Sequence, residues 1–136
     1  MTLSATGLVK RYSANPEYLA VDGADLEIDS GEFIAIIGRS GSGKSTLLAM
    51  LGALTRPSEG RVVFDARDLW SFSETELAAF RATQIGFVFQ FPSLLPNLRA
   101  ADNVALPALF AGSMTARAAN ATALRLLDRV GLRDRS

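Results

Sequence analysis

There is no cysteine and no histidine among the 136 residues. The first absence excludes a disulfide framework and thiol chemistry. The second excludes imidazole metal sites and catalysis by a histidine of this chain. A charge excess is missing too: 14 basic residues balance 14 acidic ones. That argues against a nucleic-acid partner, since such binders carry a basic footprint. No apolar run approaches the roughly 20 residues of a membrane span. The longest candidate, NVALPALFAG at residues 103–112, is short and holds Pro107. The opening stretch, MTLSATGLVKRYSANPEY, has no apolar core ahead of a cleavage-like site, so it does not read as a signal peptide. The expected location is cytoplasmic, with docking onto a membrane partner left open.

The residues present suit a globular fold. The apolar fraction is 49%, and the length is enough for one domain with a core. Residues 8–12 read as a first strand, 13–18 as a turn-rich connection and 24–28 as an alternating second strand. FIAII, residues 33–37, is apolar throughout, as a strand buried on both faces should be. A helix is expected over 43–54 and a strand over 61–64. Ser73 and Glu76 have capping-box spacing ahead of a short helix from Glu74 to Arg81. IGFVFQ, residues 85–90, reads as another strand. A helix is expected to start near Asp102, capped by it, with Pro107 kinking or interrupting it. Ala119, Ala123, Leu126, Leu127 and Val130 share one face of a last helix over 115–130, with Gly131 as its C-cap. Alternating strands and helices predict an α/β fold with a parallel sheet among the later strands.

GRSGSGKS, residues 38–45, fits the pattern of two glycines five apart followed by lysine and a hydroxyl residue. Phosphate oxygens need several donors converging from one side, and successive backbone N–H groups supply them where the chain curls tightly. Gly38, Gly41 and Gly43 permit the curl and the close approach. Lys44 is placed to reach the β- and γ-phosphates, and Ser45 to put its hydroxyl on Mg²⁺. The apolar run before the loop and STLLAML after it are the expected strand and helix. The motif itself does not choose between ATP and GTP and does not establish hydrolysis. A GTPase should also show an Asn-Lys-x-Asp segment for guanine, and none is present. Asp65 and Asp68 fit a surface turn better than a metal site.

Together, SGEFIAIIGRSGSGKSTLL, SEGRVVFDARDL, LAAFRATQIGFVFQFPSLLPNLRAADNVALP and ALRLLDRVGL resemble the ATP-binding subunits of ABC transporters. FRATQIGFVFQ and NVALP resemble the branch serving lipoprotein release and macrolide or peptide export. The resemblance implies an ABC-type phosphate-loop NTPase fold with an N-terminal antiparallel β part. It places the N-terminal part of the nucleotide-binding core in residues 1–90 and the start of a helical subdomain in 91–136. ATP and Mg²⁺ are the implied cofactors. By the same resemblance, Tyr12 stacks on adenine, although strand-end packing explains a tyrosine there too. Gly38, Arg39, Ser40, Gly41, Ser42, Gly43, Lys44, Ser45 and Thr46 form the phosphate loop, with Arg39 at a variable, solvent-facing position. Gln90 touches Mg²⁺ and the attacking water; a polar cap at a strand end is the plainer alternative. Lys44 and Gln90 are thus the catalytic candidates, Ser45 and Gln90 the metal ligands.

The implied partners are the transporter's membrane subunits and a second ATP-binding subunit. The membrane subunits' coupling helices would dock near residues 91–101, where Phe91, Leu94, Leu95 and Leu98 supply either that contact or core packing. The family's signature segment, its second acidic strand with the catalytic glutamate, and its switch histidine find no match. The expectation is therefore a chain truncated before the signature, holding nucleotide without turnover on its own. A purely structural remnant, or another phosphate-loop kinase or GTPase, stands as the alternative.

Overall fold

The computed structural model describes residues 2–91 and 93–135. They fall into two compact units, Met1–Ile85 and Gly86–Ser136. In the first, β1 (Thr2–Tyr12) lies between β2 (Asn15–Asp29) and β3 (Glu59–Phe64), and β3 pairs in turn with β4 (Arg67–Asp68). Every ladder is antiparallel. A tight turn at Ser13 and Ala14 joins β1 to β2, with Tyr12 opposite Asn15. The strand thus begins inside the segment expected to be a connection. Pro16 lies on β2, an edge strand among the described residues, between the paired positions Asn15 and Leu19, where a missing N–H breaks no paired rung. The register shifts between Ala5 and Leu8, and the Gly7 N–H donates to Asp25 Oδ1 at 2.6 Å. This bulge breaks the two-residue alternation, so the neighbours Leu8 and Val9 are both buried.

One helix, α1 (Lys44–Leu51), follows the glycine-rich turn and buries Met50 and Leu51. These pack with Leu8, Val62 and Leu69 into the main core. Helix α2 (Glu74–Gln84) starts at the expected capping box. The Ser73 N–H donates to Glu76 Oε2 at 2.8 Å, and Ser73 Oγ accepts from the Glu76 N–H at 3.3 Å. Its Leu77 and Phe80 are buried, and Phe80 meets Phe64 edge to face at 4.9 Å. In the second unit, α3 (Ala100–Phe110) packs on α4 (Ala116–Arg129) through Ala101, Ala105, Ala119, Ala123 and Leu127.

Several sequence expectations meet a different outcome. Residues 33–37 and 85–89 have strand composition but no ladder partner among the described residues, and no parallel pair occurs there. A strand is defined by its hydrogen-bonded neighbour, which composition does not specify. Phe33 and Ile37 are accordingly 95% and 93% exposed. Helix α3 begins two residues before Asp102, with Arg99 at the N-cap position. Asp102 instead sits in the first turn, accepting from Arg99 Nε at 2.9 Å, where a carboxylate also suits the helix dipole. Pro107 does not end α3, which runs on to Phe110. On α4 the buried face is narrower than expected, because Leu126 and Val130 are exposed. Positions 119, 123 and 127 follow one i, i+4 row, and 126 and 130 lie on the adjoining row.

Candidate functional site

Residues 38–43 form a tight turn ahead of α1. Gly41 and Gly43 have φ of +78° and +84°, a left-handed conformation that favours glycine. Gly43 is constrained twice over, since a Cβ there would lie 2.0 Å from the Ala20 carbonyl oxygen of β2. The loop is therefore seated directly on the edge strand's backbone. A Cβ on Gly38 would meet Ser42 Oγ at 2.6 Å, so the two ends of the curl nearly touch.

Half-buried Lys44 folds back over this curl. Its Nζ donates to the Gly38 carbonyl at 2.9 Å, the Arg39 carbonyl at 2.7 Å and Ser42 Oγ at 3.3 Å. The Ser42 N–H donates to the same Arg39 carbonyl at 3.2 Å. Cation and amide thus converge on one point inside the loop. Leu47 makes the first backbone bond of α1, to Gly43 at 2.8 Å. The N–H groups of Lys44, Ser45 and Thr46 precede it, and no side chain caps the helix. Such an end favours an anion by its unpaired donors and by the helix dipole.

A cleft of about 500 Å³ opens beside the loop, walled by Gly38, Gly41, Ser42, Gly43 and Lys44 on one side and by Tyr18–Val21 of β2 on the other. Tyr18 reaches across it, its hydroxyl donating to the Gly41 carbonyl at 3.2 Å. Sequence reasoning missed Tyr18, for no local pattern marks a contact spanning 23 residues.

The structure brings Gly38, Gly41, Ser42, Gly43 and Lys44 together around that cleft. Arg39 and Ser40 are exposed at the turn, as is Ser45 on α1, while Thr46 is half-buried there. Tyr12 stands at the end of β1 outside the cleft wall, 45% exposed, with Lys10 Nζ 5.3 Å from its ring centroid. Gln90 belongs to the other unit and is exposed. Phe91, Leu94, Leu95 and Leu98 are exposed rather than core. Asp65 and Asp68 serve turns: Asp65 Oδ1 accepts from the Thr2 N–H and Asp68 Oδ1 from the Trp70 N–H, both at 2.8 Å. Among the described residues no cluster of three or more carboxylates could hold a metal. No helix there is long and apolar enough to cross a membrane.

Fold and loop together define the class: a phosphate-loop NTPase fold of the ABC type, with an N-terminal antiparallel sheet and a helical part. The chain superposes on the ATP-binding cassette MJ0796, solved as a dimer bound to ADP and Pi, with a TM-score of 0.83 at 38% identity. The match covers 93% of this chain and 56% of that one. The family model described as ABC transporter matches residues 21–136, and the chain belongs to that family. It is 48% identical over 130 residues to the lipoprotein-releasing system ATP-binding protein LolD of Nitratidesulfovibrio vulgaris, covering 95% of this chain and 55% of LolD. It is 44% identical over 135 residues to the macrolide export ATP-binding/permease protein MacB of Burkholderia thailandensis, covering 98% of this chain and 20% of MacB. The chain thus spans about half of LolD and a fifth of MacB.

Proposed function

We propose that this chain is the nucleotide-holding part of an ABC transporter ATP-binding subunit of the export or lipoprotein-release type. The observation that carries the reading is the glycine curl closed over Lys44 at the uncapped start of α1. Lys44 would exchange its two loop carbonyls for the β- and γ-phosphate oxygens, and the first amides of α1 would bind the same phosphates. Tyr12 is the proposed adenine platform. Arg39 and Ser40 shape the exposed side of the loop, and Thr46 continues it into α1.

The donors suit Mg²⁺, a hard cation that keeps most of its shell as water and phosphate oxygen and takes few protein ligands. Ser45 offers an exposed hydroxyl on α1, and the Gln90 amide oxygen is the second proposed ligand. The ion neutralises charge on the phosphates when bound. Lys44 and Gln90 are the proposed catalytic groups of the assembled protein. That assembly would pair two ATP-binding subunits, a reading supported by the dimeric relative of known structure. Membrane subunits and a place at the cytoplasmic face follow from the family reading.

Calorimetric titration with Mg–ATP and Mg–GTP tests the site. Mg–ATP should bind at least as tightly as Mg–GTP. Lys44→Ala should lose about 1.5–3 kcal/mol of binding, as for a charge-assisted hydrogen bond. Arg39→Ala should lose under about 1 kcal/mol, as for an exposed ionic contact. Equal losses in the two variants, or a tenfold preference for GTP, would overturn this reading.

A further inference from the structure

We propose that Tyr18 is a positioning residue of the phosphate loop, holding the Gly41 carbonyl outward so that the Ser42 N–H faces the loop interior where a phosphate oxygen would bind. The inference deepens the nucleotide site and rests on that reading. Carbonyl and N–H of one peptide unit lie in a plane and point in opposite directions. The Tyr18 hydroxyl takes the Gly41 oxygen on the cleft side at 3.2 Å. The N–H of that same unit, on Ser42, turns into the curl and meets the Arg39 carbonyl at 3.2 Å. Lys44 Nζ meets the same carbonyl at 2.7 Å. An arriving phosphate oxygen replaces that one acceptor for both donors as the Arg39 carbonyl turns aside, while the Gly41–Ser42 peptide keeps its plane. Gly41 is a residue at which such a plane turns easily, having no Cβ to restrain it. Without the hydroxyl, part of the binding energy goes into ordering this plane, as for any site that is not pre-organised.

Tyr18 is 53% exposed, so Tyr18→Phe keeps the ring and removes only the latch. The test compares the unsubstituted chain, Tyr18→Phe and Tyr12→Ala in calorimetric titrations with Mg–ATP and with Mg–tripolyphosphate, which has no base. Thermal midpoints and the ¹⁵N–¹H resonance of Ser42 are recorded without ligand. Tyr18→Phe is expected to weaken both ligands equally, by about three- to tenfold for one neutral hydrogen bond. The Ser42 resonance should move and the thermal midpoint should stay. Tyr12→Ala should weaken Mg–ATP alone. Unchanged tripolyphosphate affinity in Tyr18→Phe overturns the latch, and a loss confined to Mg–ATP makes Tyr18 a base contact instead. A loss that tracks a lowered thermal midpoint also overturns it. If the unsubstituted chain binds neither ligand, the nucleotide site falls together with the latch; if it binds both and Tyr18→Phe matches it, the latch alone falls.

Discussion

The two units bury different things. The first encloses Leu8, Met50, Leu69 and Val62 completely, side chains large enough that volume and shape decide their fit. The second joins its helices through four alanines and one leucine. Alanine buries little area but brings helix backbones close and loses no rotamer freedom. One unit is held by filling a space, the other by closing one. The first also carries the glycine curl, which is pressed onto β2 and therefore needs a firm strand beneath it.

Substitution in the two cores separates these regimes. Leu69→Ala should cost the intact chain about 2–5 kcal/mol, because it leaves a cavity among residues that collapse only partly. Urea unfolding followed by circular dichroism reads this, and a cost below about 1 kcal/mol would mean the first core is loosely filled. Ala123→Leu, on the helix pair, should cost about 1–3 kcal/mol by overpacking. Stabilisation by that leucine would show that α3 and α4 have room to spare, and the contrast between the cores would dissolve.

Helix starts sharpen the comparison on a smaller scale. Ser73 takes part in a reciprocal box on α2, whereas Thr115 on α4 only accepts from the Ala118 N–H at 3.3 Å. Ser73→Ala should cost about 1 kcal/mol or slightly more and Thr115→Ala no more than that. The same urea experiment ranks them, and a larger loss from Thr115→Ala would reverse the assignment.

These particulars show what the sequence could disclose. The capping box was legible to the residue because both partners lie within one turn. The glycine curl was legible because its backbone needs, a left-handed Gly43 pressed on β2 among them, demand glycine at fixed spacing. Residues 33–37 were misread because a ladder depends on a neighbour far along the chain. Leu126 and Val130 were misread because amphipathic spacing gives a face and not its width. Tyr18 was invisible for the reason that makes it interesting: its hydroxyl acts on a backbone carbonyl that any residue possesses. The family resemblance supplied Tyr12 and Gln90; Tyr12 stands outside the cleft wall, and Gln90 belongs to the other unit.

The smallest effect concerns acid. The Glu76 carboxyl is held below its usual range, first by the Ser73 backbone N–H, then by the Ser73 hydroxyl, with the charge of Arg67 adding a little. Asp102 on α3 is likewise held down, chiefly by its hydrogen bond from Arg99. A carboxyl lowered in the folded state binds its proton more readily when the chain unfolds. Its contribution is therefore complete above the unfolded value, near 4.5 for Glu76, and disappears as pH falls through the lowered folded value. Glu76 is exposed and Asp102 partly so, so solvent and salt screen their interactions. Urea midpoints at pH 6, 4.5 and 3 should show Glu76→Gln less stable than the unsubstituted chain at pH 6, with the gap narrowing on acidification. Asp102→Asn should narrow in the same direction, and more so in low salt, because its stabilising partner is the charged Arg99 while that of Glu76 is mainly a neutral backbone N–H. A gap that stays constant for Glu76 would mean that its carboxylate acts in the box as a shape and not as a charge. A stronger salt response at Glu76 than at Asp102 would invert the two helix starts, making the α2 cap the ionic one.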